Sequence, residues 1–250
     1  MLGLDEQDSP LPRGNNIFAT THWSVVLAAG QGGSLAAEEA LEKLCHTYWY
    51  PIYAYVRRRA GDAHEAEDLT QEFFARLLGK NSLASVQREG GKFRSFLLTA
   101  LKHFLINKWQ QRQTAKRGGG KTLLSLDEVD AEKRYQFEPA DETTPEVLFE
   151  RRWAATVLEQ VRRRLRARYA ADGQAELFEA LQPCLTGAEQ TLAYVDLAAR
   201  LGTSESAVKM AVHRLRKRYG ESLRAEIALT VDSPAEVEAE IRCLIAAAGK

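Results

Sequence analysis

The chain has 250 residues, is 45% hydrophobic and 27% charged, and has room for one large domain or two small ones. Lysine plus arginine equals aspartate plus glutamate at 34 each, so the totals neither suggest nor exclude a polyanionic partner. Cys45, Cys184 and Cys243 lie far apart with no paired spacing, which argues against a disulfide framework or a cysteine zinc site and fits a reducing compartment.

Residues 1–16 mix Gly, Pro, Asp and Asn without periodicity and are expected to be disordered. They carry no basic start and no apolar run, so no secretory signal is expected. No stretch approaches the ~18 apolar residues of a membrane span, and the expectation is a cytoplasmic protein. A first helix is predicted near Thr20–Thr21 with Trp23, Val26 and Leu27 inward. Residues 35–59 read as a helix with Leu41, Leu44, Tyr48, Ile52, Tyr55 and Val56 on one side. Pro51 should kink it or mark a fresh start. After a turn at Gly61–Asp62, Ala66, Leu69, Phe73 and Leu77 face inward, while Glu65, Glu67, Asp68, Gln71 and Glu72 face outward.

Residues 91–120 form the central feature. Phe93, Phe96, Leu97, Ala100, Leu101, Phe104, Leu105 and Trp109 recur at spacings of three and four, giving one apolar stripe. The other face carries Lys92, Arg94, Lys102, Lys108, Arg112, Lys116, Arg117 and Lys121, and no acid lies between Glu89 and Asp127. A helix rich in bases without local acids forgoes the ion pairs that would support it. Such a face fits a polyanion, and interleaved aromatics fit unpaired bases that stack. The competing reading is a solvated basic face on a core helix, with Phe93 and Phe96 largely core.

Residues 122–150 change character: Asp127, Glu128, Asp130, Glu132, Glu138, Asp141, Glu142, Glu146 and Glu150 are answered only by Lys133 and Arg134. With Pro139 and Pro145 inside, this reads as an acidic tether with little regular structure. Pro145 after Thr144 suits a helix start. Trp153, Val157, Leu158, Val161, Leu165 and Tyr169 form the next stripe, and a short helix is predicted over 177–185.

YVDLAARLGTSESAVKMAVHRLRKRYG then has the layout of a helix-turn-helix. Leu197, Ala198 and Leu201 face inward, Gly202 permits the turn, and Ser204 can cap the second helix. Val208, Ala211, Val212, Leu215 and Tyr219 form its buried side. Ser206, Lys209, Met210, His213, Arg214 and Lys217 point outward, with Arg216 and Arg218 on the flanks. Short polar groups first and bases further along suit a helix entering the major groove. A last amphipathic helix opens at Ser233–Pro234 with Val237, Ile241, Leu244 and Ile245. The fold class is all-α.

DAHEAEDLTQEFFARLL, then GKFRSFLLTALKHFLINKWQQR, then the helix-turn-helix together resemble the RNA polymerase sigma factors, most of all the small extracytoplasmic-function (ECF) type with domains two and four. The resemblance covers residues 35–117 and 145–227. It implies two helical domains joined by an acidic linker: domain two over 17–120, a linker over 121–144, domain four over 145–230, and an extra helix over 231–250. It implies docking through Glu65, Glu67 and Asp68, which match the family's acidic helix start, and through Asp68, Gln71 and Glu72, which match the D-x-x-Q-E that grips the β′ clamp helices of core polymerase. An exposed acidic face beside a DNA-directed helix suits a basic protein partner.

Lys92, Phe93, Arg94, Phe96, Lys102, His103, Asn107, Lys108 and Arg112 match the segment that recognises and melts the minus-ten element and captures single-stranded DNA. Ser204, Ser206, Lys209, Met210, His213, Arg214, Arg216 and Lys217 match the duplex reader of the minus-thirty-five element. The chain has Lys102–His103 and Asn107–Lys108 where the family often has Arg-Asn and Asp-His, so its preferred minus-ten sequence does not carry over. The β subunit is implied as a further polymerase contact and an anti-sigma factor as a regulator. The acidic linker suits the family's placement of this segment near the active-site and RNA-exit channels. The last helix is expected to pack on domain four, with regulation as the alternative.

No catalytic, cofactor or metal site is expected. G-x-S-x-G, HExxH and a phosphate-binding glycine loop are absent, and Gly118–Gly120 follows a helix, not a strand. His64 with Asp68 and His46 with Tyr50 are one turn apart but lack a third ligand. A metal-dependent phosphohydrolase on a helical bundle is the enzyme alternative. A stand-alone helix-turn-helix regulator is the other, though it leaves the acidic face and the aromatic-basic helix without a purpose.

Overall fold

In a computed structural model, the described residues are 35–78, 92–114, 128–136, 143–185, 194–231 and 233–249. They form α1 (Leu35–Ala60), α2 (Ala63–Leu78), α3 (Phe93–Thr114), α4 (Glu128–Gln136), α5 (Pro145–Ala171) and α6 (Ala175–Leu181). A 3-10 turn (Gln182–Leu185) follows, then α7 (Tyr194–Leu201), α8 (Glu205–Ala228) and α9 (Pro234–Ala248). No strand occurs among the described residues, so the protein is all-α. The expected N-terminal tail and first helix, the connector over 82–91 and Gly118–Gly120 lie outside the described residues.

Helix α1 does not restart at Pro51. It runs through it, with Tyr48, Ile52, Tyr53, Tyr55 and Val56 all buried. A mid-helix proline costs about 3 kcal/mol, and burial of this aromatic-rich turn offsets it. Gly61 closes α1 at φ 77°, a left-handed value that favours glycine. Asp62 then accepts the Glu65 N–H at 2.9 Å and opens α2. Pro145 begins α5, and Thr144 caps it by accepting the Val147 N–H at 3.3 Å.

The acidic stretch differs from the expected tether, because α4 lies inside it. Glu132 accepts from Arg57 Nε at 3.0 Å and from Tyr53, and Arg57 also sits over the Tyr135 ring. Hydrogen bonding from Arg57 holds the Glu132 carboxyl below its ordinary value. A sequence of low hydrophobicity thus finds its helix through buried Ala131 and through Arg57, Arg58, Tyr50 and Tyr53 of α1.

Two hydrophobic clusters organise the core. The larger takes α1, α2 and α3, Ala131 of α4, the first half of α5, the last turns of α8, and α9. The smaller takes Leu165 and Tyr169 of α5, α6, the 3-10 turn, α7, and Val208, Val212 and Leu215 of α8. Helices α5 and α8 therefore each serve both clusters, with Tyr219 packed against each. The division between the clusters falls within these two helices, and the N-terminal helices share one cluster with α5, α8 and α9.

Helix α9 packs on α5 and α8, as its apolar face predicts, with Val237, Ile241 and Leu244 buried. It departs from expectation at Ile245, which is 60% exposed. Helix α8 continues past Tyr219 and Gly220 to Ala228. Among the described residues, no helix is long and apolar enough to cross a membrane.

Candidate nucleic-acid interface

The acidic face forms as its spacing demands. On α2, Ala66, Leu69, Phe73 and Leu77 are buried, Asp68 and Glu72 are exposed, and Glu65, Glu67 and Gln71 are half-buried beside them. Thr70, between the two groups, is buried and donates to the Ala66 carbonyl at 2.7 Å.

On α3 the apolar stripe is buried at Phe93, Leu97, Leu101, Phe104 and Leu105, with Phe96, Ala100 and Trp109 half-buried. Phe93 packs edge-on against Tyr48, so in this structure it belongs wholly to the core. His103 and Asn107 are exposed, and Lys102 and Lys108 stand on the half-buried flank. The side chain of Arg112 lies outside the described residues.

The basic face finds its acids through the fold. Lys102 pairs with Glu146 at 3.0 Å, and Lys108 pairs with Glu72 of the acidic face. Burial works against the Glu146 charge, but Lys102, its own backbone N–H and Tyr55 outweigh it and hold its carboxyl below the ordinary value.

Arg94, expected outward, is instead buried, its side chain 9% exposed. It donates to Glu240 of α9 and Glu150 of α5, and its guanidinium lies 4.9 Å from the centre of the Trp153 ring. Lys92 joins Glu240 at 2.8 Å. Burial disfavours the Arg94 charge. The hydrogen bond to Glu240 and the charges of Glu150 and Glu240 outweigh that and keep the guanidinium above its ordinary value.

Geometry explains the misreading. Arg94 is seven and eleven residues before Leu101 and Leu105, so it lies along the apolar stripe rather than across from it. Glu240, three after Val237 and four before Leu244, lies inside the stripe of α9 in the same way. A charge within an apolar stripe is the sequence signal that marks both residues for a buried partner.

The second basic surface is built differently. Gly202 adopts φ 61° between α7 and α8, and nothing lies near where a Cβ would sit. Ser204 caps α8, accepting from the Ala207 N–H at 3.2 Å, and its Oγ meets Ser206 Oγ at 3.0 Å. Val208, Val212 and Leu215 are buried, as their spacing predicts. His213, Arg214 and Lys217 are exposed, as is Met210 at 57%.

Two bases on α8 have structural tasks. Lys209 pairs with Glu205 at 2.7 Å, one turn earlier. Arg216 donates twice to the Cys184 carbonyl, at 3.2 and 3.0 Å, and so ties α8 to the end of the 3-10 turn. Arg218 lies over the Tyr169 ring. No group of three or more His, Cys, Asp or Glu that could hold a metal occurs among the described residues.

Residues 46–115 match the family model for sigma-70 region 2. No curated protein matches the chain. The matched segment begins inside α1 and takes in the whole acidic face of α2 and the whole of α3, the two elements whose surfaces the sequence singled out. This likeness supports a sigma-70 family factor, a class of transcription-initiation proteins that bind DNA and the RNA polymerase.

Proposed function

We propose that the chain is a sigma factor of the ECF type. It binds core RNA polymerase, recognises a promoter, opens the DNA and starts transcription, and it performs no catalysis of its own. The single observation that carries this reading is the region 2 match over residues 46–115, a segment that carries an exposed acidic face next to a basic helix.

In this reading Asp68 and Glu72, with Glu65, Glu67 and Gln71 beside them, dock on the β′ clamp helices. The exposure of Asp68 and Glu72 on one side of α2 supports it. Phe96, Lys102, His103, Asn107 and Lys108 of α3 meet the minus-ten strand. Lys102 and Lys108 exchange their glutamate partners for phosphate, which DNA can drive because surface ion pairs are weak. His213, Arg214, Lys217, Met210 and Ser206 of α8 read duplex DNA in the major groove. A β-subunit contact and an anti-sigma partner complete the set. The protein works in the cytoplasm, where polymerase is.

Size-exclusion chromatography with purified bacterial core polymerase tests this. The chain co-elutes, and Asp68→Arg abolishes co-elution without loss of helicity. Co-elution unaffected by Asp68→Arg moves the docking face elsewhere. Failure of the unaltered chain to co-elute favours a stand-alone DNA-binding regulator.

A further inference from the structure

The contact between α9 and the start of α3 has no role in the reading above. Glu240 is buried, its side chain 1% exposed, and it receives both bases at the head of α3. Arg94 meets it with two nitrogens, one at 3.2 Å, and Lys92 reaches it at 2.8 Å. Lys92 Nζ also lies 3.5 Å from Cys243 Sγ, one turn further along α9. Glu150 of α5 holds Arg94 from a third helix. The backbone joins in: the Phe93 N–H, first of its helix, donates to the Thr230 carbonyl at 3.0 Å, in the turn that leads to α9. The carboxylates that hold Lys92 and Arg94, and the carbonyl that caps Phe93, thus come from α5 and the C-terminal segment, while the Phe93 ring packs on Tyr48 of α1.

Such a network stabilises little in net terms, because desolvating the charges offsets their attraction. What it does is select one arrangement. Helix α9 is otherwise held by a short apolar face of Val237, Ile241 and Leu244 and by the exposed Glu238–Arg224 pair to α8 at 2.8 Å. When it lifts, Glu240 leaves both bases: Lys92 is open to phosphate, and Arg94 keeps Glu150 of α5, which phosphate must displace. Helix α9 carries only one base, Arg242, against Glu236, Glu238 and Glu240, so it opposes a DNA strand at this place.

We propose that α9 is an autoinhibitory strap. Closed, it withholds Lys92 and Arg94 from nucleic acid; open, it releases them to the single-stranded promoter. The proposal rests on the sigma reading of α3.

The test uses the full chain, Glu240→Gln, and a fluorescent single-stranded 20-mer of random sequence. Glu240→Gln binds the 20-mer about tenfold more tightly at low salt, and its log–log salt slope steepens by roughly 1.4, for two more phosphate contacts on a single strand. Arg94→Gln added to Glu240→Gln removes about half of that steepening. Labelling of Cys243 by N-ethylmaleimide checks the motion without any substitution, since Cys45 and Cys184 are buried. Saturating 20-mer speeds labelling of Cys243 in the unaltered chain. Unchanged affinity and slope in a folded Glu240→Gln overturn the strap. So does labelling that the 20-mer leaves unchanged or slows, which decides the matter if the variant fails to fold. Either result leaves co-elution of the unaltered chain with polymerase intact, so loss of the strap and loss of the sigma reading are told apart.

Discussion

The two basic surfaces, on α3 and α8, read alike in the sequence and are built on opposite plans. On α3 the bases are drawn into the fold: Lys92, Arg94, Lys102 and Lys108 each hold a glutamate from another helix. On the DNA-directed turns of α8, His213, Arg214 and Lys217 stand out from a capped helix, while Lys209 uses a neighbour one turn away, Arg216 a backbone carbonyl and Arg218 the Tyr169 ring; Arg224, beyond those turns, pairs with Glu238 of α9. A run of bases thus fixes where positive charge is, but not what neutralises it. A surface whose charges are already answered must be opened before it meets DNA, whereas one whose bases face water can bind as it stands.

Substitutions can break this contrast. The largest effect belongs to Arg94→Met. It leaves Glu240 and Glu150 without their shared cation and should cost about 3–5 kcal/mol of stability in thermal or urea unfolding. Arg214→Ala, on the other surface, should leave stability within about 0.5 kcal/mol. Its loss belongs to promoter binding, about 1–3 kcal/mol if it reads a base edge, measured by titration against matched and mismatched duplexes. Equal effects of the two changes on stability would erase the distinction.

Gly202→Ala should destabilise by about 1–2 kcal/mol, all of it from the left-handed backbone, since there is room for the methyl group. Arg216→Ala should cost about 1 kcal/mol through its bonds to the Cys184 carbonyl, seen as a lowered melting temperature. That loss would mark Arg216 as a scaffold residue within a DNA-directed helix.

The smallest effect concerns α4. The Glu132 carboxyl is held below its ordinary value of 4.5, first by its bond with Arg57. Its stabilisation is therefore complete above that value and is lost as pH falls through the lowered one. Solvent screening keeps it to about 1 kcal/mol. Unfolding of the unaltered chain and Glu132→Gln should differ at pH 7, and the difference should shrink as pH falls through the lowered value.

The stripes of α1, α2, α3, α5 and α8 were legible because each buries one face of a periodic pattern. The caps at Thr144 and Ser204 were legible from local chemistry. What was not legible was tertiary pairing. Arg94 and Glu240 are 146 residues apart, and no local rule joins them. Helix α4 was missed because its composition argues for a tether, and its order comes from Arg57 and Tyr53 on another helix. The division of the core within α5 and α8 was missed for a related reason: a helix with a continuous stripe gives no sign that its two ends face different neighbours.

The most direct test of the account is transcription from genomic DNA by core polymerase with and without the chain, with start sites mapped by sequencing and open DNA detected by permanganate. The account predicts new, discrete start sites with reactive thymines about ten base pairs upstream, all lost with Asp68→Arg. Start sites identical to those of core polymerase alone, under conditions in which the chain binds that polymerase, would contradict it.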